Sequence, residues 1–69
     1  MITVAEPIDA DTLRVRHEFL TTPDLHVSVD DIVLLLGVHP RHALLILESL
    51  VWQGFLARQP DGRYLRSSR

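Results

Sequence analysis

The feature that most constrains this chain is the run Leu36-Gly37-Val38-His39-Pro40, which can end one helix and begin another within a few residues. Glycine accepts the left-handed conformation that closes a helix. Proline fits the first turn of the next one, where its missing N–H costs nothing, and His39 then takes the capping position. Upstream, the Ser28 hydroxyl can accept a backbone N–H, and Asp30 and Asp31 fall in a first turn, where negative charge is favoured. The pattern predicts a helix over 29–36 and another over 40–53, stopped by Gly54. Two helices joined across a short glycine-containing turn make a helix-turn-helix.

The rest of the chain builds around this pair. Asp9 or Asp11 can cap a first helix over 11–20, which Thr22-Pro23 stops. On it Leu13, Val15, Phe19 and Leu20 span about half the circumference, as an amphipathic helix requires. Arg16 lies inside that arc and is expected to lay its stem on apolar surface while its head finds Glu48 or an aspartate of the second helix. Arg14 and Glu18, four apart, are spaced for a surface pair. Leu25 to Val27 reads as a short extended piece. After Gly54 the period changes to 2, and Phe55–Gln59 and Arg63–Arg66 read as strands around the turn Pro60-Asp61-Gly62. Met1 to Ala10 reads as a flexible leader, 11–66 as one domain and 67–69 as a polar tail. The expected fold is α+β, mainly α: three helices and a C-terminal two-stranded hairpin. With 46% of its 69 residues hydrophobic, the chain can furnish a core. In the third helix Ala43, Ile46, Leu47 and Leu50 share the inward arc, whereas Arg41, Leu45, Glu48, Ser49 and Trp52 point outward.

Charge and composition narrow the function classes. The net charge of −2 conceals two arginines against seven acids up to Val38, and five arginines against two acids from His39 onward. The basic half leans toward an anionic partner. There is no cysteine, hence no disulfide framework or thiolate metal site, which fits a reducing cytoplasm. The apolar runs are too short to cross a bilayer, and no export signal is apparent. No nucleophile, phosphate loop or carboxylate pair suggests catalysis, so no enzyme activity is expected. His39 and His42 lack the further ligands a zinc site needs. Neither metal nor cofactor is expected.

Leu35-Leu36-Gly37-Val38-His39-Pro40-Arg41, then Leu47, Leu50, Gly54, Phe55 and Leu56, then Asp61-Gly62-Arg63-Tyr64 together resemble bacterial winged helix-turn-helix domains over roughly 11–66. The resemblance implies a small DNA-binding transcription regulator, acting as a homodimer, whose third helix enters the major groove. Arg41 and the wing arginines Arg58, Arg63 and Arg66 would hold phosphates, and His42 and Ser49 would meet base edges. Where such domains carry a polar or basic reader, this chain has Leu45, and Glu48 would repel phosphate. The alternative is a protein-interaction or dimerisation module that keeps the fold and anchors a partner with Leu45 and Trp52. On that view Trp52 is covered by the leader, through Ile2, Val4 or Ile8, or by a second chain.

Overall fold

The computed structural model describes residues 10–67. Three helices, α1 (Ala10–Thr21), α2 (Val29–Leu36) and α3 (Pro40–Trp52), precede two strands, β1 (Leu56–Arg58) and β2 (Tyr64–Arg66). The architecture is α+β, mainly α. No single described helix is long and apolar enough to cross a membrane, and α2 and α3 are bent by 112° to one another.

The local chemistry explains the boundaries. Asp31 N–H donates to Ser28 Oγ at 3.2 Å, and Ser28 N–H donates to Asp31 Oδ2 at 2.9 Å. This reciprocal capping box satisfies two backbone donors that the helix cannot. Gly37 closes α2 at φ 68°, its N–H donating to the Val33 carbonyl. His39 then caps α3 with its ring, Nδ1 accepting the Arg41 N–H at 3.0 Å, and Pro40 opens the helix. The first helix begins one residue earlier than expected, so Ala10 belongs to it and not to a leader; residues 1–9 lie outside the described residues. The strands are shorter than the sequence suggests, although Gln59 N–H still donates to the Arg63 carbonyl at the mouth of the turn.

Helix α3 is the centre of the fold, packed against α1, α2 and β1. Ala43, Ile46, Leu47 and Leu50 are buried along its inner arc, joined by Val15 and Phe19 of α1, Ile32 of α2, Val27, Leu56 and Tyr64. Leu13 and Leu20, expected on the core face of α1, are about half exposed. At 100° per residue they lie about 100–160° round the helix from Val15 and Phe19, and α1 meets the core along that narrower edge. Leu34, 200° round α2 from Ile32 at the same spacing, is 84% exposed.

The strands pair antiparallel, with Ala57 opposite Leu65 and Arg58 opposite Tyr64. On its other edge Tyr64 exchanges both backbone bonds with Val27, at 3.0 and 2.7 Å. The segment before α2 thus adds a one-residue third strand, and the hairpin is stitched to the helical body.

Candidate interaction surface

The outward side of α3 carries Arg41, Leu44, Leu45, Ser49 and Trp52, all exposed, with Glu48 at its edge. Seven residues separate Leu45 from Trp52, so they stand nearly one above the other on the helix. Leu45 is 61% exposed and Trp52 89%. Between them lies a shallow open groove of about 400 Å³ lined by Leu45, Glu48, Ser49, Trp52 and Gln53. Among the described residues nothing covers Trp52. The leader residues named as its cover, Ile2, Val4 and Ile8, lie outside the described residues.

Glu48 is not the free repelling charge that its sequence position suggests. The Tyr64 hydroxyl donates to its Oε2 at 2.9 Å, and Arg58 Nη1 stands 4.0 Å from the same oxygen. Burial, then the hydrogen bond and charge of Glu48, push the Tyr64 hydroxyl above its ordinary pKa of 10.0. The carboxylate is half exposed, so its pairing with Arg58 is screened by water and weak. The buried ring of Tyr64 gives the contact its position: β2 holds the phenol under α3 where Glu48 can receive it. A tyrosine two residues after the turn glycine is visible in the sequence, but its hydroxyl partner sixteen residues upstream is not.

The six residues expected to meet DNA are not brought to one surface in equivalent states. Arg41 and Ser49 are exposed on α3, and Arg63 is exposed beside the hairpin turn, where its N–H donates to Asp61 Oδ1. Arg58 is exposed but leans toward Glu48. His42 is turned inward along α3, its Nε2 sharing a 3.3 Å hydrogen bond with Asp11 at the start of α1. That bond engages one of its two ring nitrogens. Arg66 lies with its guanidinium carbon 4.4 Å from the Phe55 ring centroid, and its Nε is buried without a hydrogen-bond partner.

Arg16 meets the same ring at 5.0 Å. Both distances are within the range of a cation–π contact. Phe55 also stands edge-on to Phe19, with centroids 6.4 Å apart and planes at 87°. The expected acid partner of Arg16 is thus replaced by an aromatic face, because Phe55 leaves α3 directly over the end of α1 while Glu48 is held by Tyr64. Among the described residues Arg58 pairs with Glu48 and His42 hydrogen-bonds Asp11, and the expected Arg14–Glu18 pair is not formed.

The surface can therefore offer an apolar stripe with one cation, Arg41, at its N-terminal end. Beside it the hairpin offers two more cations, one of them partly neutralised. No family model, no curated protein and no solved structure matches the chain.

Proposed function

We propose that this chain is a winged helix-turn-helix domain that works by protein contact through the outward face of α3. The bend of 112° across a turn containing Gly37, with a hairpin following α3, supports the domain type. The observation that carries the function is the exposure of Leu45 and Trp52 on the very face that would otherwise read bases. Tryptophan is enriched at the centres of protein interfaces, and an exposed indole beside an exposed leucine is unfavourable until something covers it. A groove-facing helix would instead present hydrogen-bonding side chains. Of the groups assigned to that work, His42 and Arg66 are engaged within the fold.

DNA binding is the second reading, favoured by the exposure of Arg41, Arg58 and Arg63 on one helix start and the adjoining hairpin. Titration with random duplex DNA at about 50 and 200 mM salt separates the two. Three phosphate contacts would give a slope of roughly −3 in log K against log salt. The expected outcome is no binding that depends on Arg41. A steep salt slope that flattens in Arg41→Ala and in the Arg58→Ala/Arg63→Ala pair would reverse the order of the readings.

A further inference from the structure

We infer that the occupant of the α3 face is a second copy of this chain, with the two α3 helices antiparallel about a two-fold axis at the level of Glu48 and Ser49. The inference rests on the protein-contact reading and names its partner. An isologous interface requires one surface to be complementary to itself. The outward strip of α3 meets that requirement in a single register.

Leu45 and Trp52 are equidistant from a point midway between Glu48 and Ser49. At about 1.5 Å rise per residue, each stands about 5 Å from that point along the helix. A two-fold axis there sets Leu45 against the partner's Trp52 and Trp52 against the partner's Leu45. The shallow groove between Leu45 and Trp52 lies on the axis, where its open face meets the same groove of the partner. The same register sets Ser49, a hydroxyl donor, against the partner's Glu48, an acceptor, once in each direction. Glu48 already receives the Tyr64 hydroxyl and retains capacity to accept more.

The ends agree as well. Arg41 falls about 11 Å from the axis, which places it just past the last turn of the opposite α3. That turn carries no basic residue of its own. A cation is favoured at a helix C-terminus, the negative end of the helix dipole. Arg41 would supply it from across the interface, which gives a role to the one cation on the stripe.

The size of the contact puts it among the smaller specific interfaces. A tryptophan buries about 150–250 Å². Two copies of Trp52 and Leu45, with Arg41, Leu44 and Gln53 around them, reach on the order of 1,000 Å², the lower limit for a specific interface. A contact at that lower limit is expected to be transient, so the dimer should come apart on dilution.

Sedimentation equilibrium of the full chain from about 1 to 500 µM tests this. Trp52 is the sole tryptophan, so its emission should shift blue as the dimer forms. Leu45→Glu should remain monomeric over the whole range, with unchanged circular dichroism, because Leu45 is exposed in the monomer. The chain has no cysteine, so introduced thiols report the register. Ser49→Cys, beside the axis, should oxidise to a covalent dimer. Leu45→Cys should not, since its two copies stand about 10 Å apart along the helices, beyond disulfide reach. A monomer at every concentration overturns the second copy and leaves the α3 face to a different protein. A dimer that survives Leu45→Glu, or cross-linking through Leu45→Cys, places the contact elsewhere or in a parallel arrangement and also overturns it. Duplex binding lost in Arg41→Ala would strike at the underlying protein-contact reading instead.

Discussion

Leu50→Ala and Trp52→Ala, two residues apart on α3, remove side chains from opposite environments. Leu50 has no exposure, so its replacement leaves a cavity among Leu47, Ile46 and the other residues of the core. Leucine-to-alanine changes at such positions cost about 2–5 kcal/mol. A domain of this size holds roughly 3–10 kcal/mol in all, so the change should remove at least a third of the stability in most cases. At about 4–8 °C per kcal/mol, the melting temperature should fall by about 10 °C or more. Trp52 has about a tenth of its surface buried. Of an indole's ~250 Å², that fraction at 25 cal/mol per Å² is worth less than about 0.7 kcal/mol. Alanine's better helix propensity offsets part of even that. Urea melts followed by far-ultraviolet circular dichroism at ~1 µM protein, the dilute end of the sedimentation range, should show the contrast with an unchanged m-value. A loss under about 1 kcal/mol for Leu50→Ala, or over about 1 kcal/mol for Trp52→Ala, would mean that α3 is rotated from this position.

Ser28→Ala removes the hydroxyl that accepts from Asp31 N–H while leaving the residue-28 backbone N–H free to donate to the Asp31 carboxylate, and should cost about 1 kcal/mol by the same melts. Tyr64→Phe should cost about 0.5–1.5 kcal/mol at neutral pH, the net worth of a hydrogen bond to Glu48. The raised pKa of Tyr64 means the folded state holds the phenolic proton more tightly than the unfolded state. That stability is fully present below pH 10.0 and is lost as pH climbs through the raised value. In Tyr64→Phe the alkaline part of the stability profile should be flatter than in the parent chain. A parallel decline in both would exclude Tyr64 as its source.

The helix boundaries were legible because each is set by local chemistry: a hydroxyl, a carboxylate, a glycine or a proline acting within a few residues. The inner arc of α3 was legible for the related reason that its period is long and regular. The face of α1 was not. Its apolar residues spread over half a turn, and which edge meets the core depends on where α3 lies. Arg16, Arg66, His42 and Glu48 were beyond the sequence for a similar reason. Each has a partner from a different element, Phe55, Asp11 or Tyr64, and spacing along the chain carries no information about such meetings. The apolar outward pair Leu45 and Trp52 could be read directly, since helical periodicity alone places both opposite the core.

The bridge between Val27 and Tyr64 sets how this molecule can move. It joins residues 37 positions apart in the chain and closes a loop that contains α2, α3 and the strand β1. Breaking it frees the hairpin from the body, but the phenol of Tyr64 would leave the core and its bond to Glu48 in the same motion. The hairpin therefore has no low-energy hinge and should open only with the domain as a whole. Its amides, Tyr64 above all, should exchange with solvent hydrogen at a rate set by global unfolding. A contact made at the hairpin turn is thus mechanically continuous with α3, so displacement of one element is borne by both.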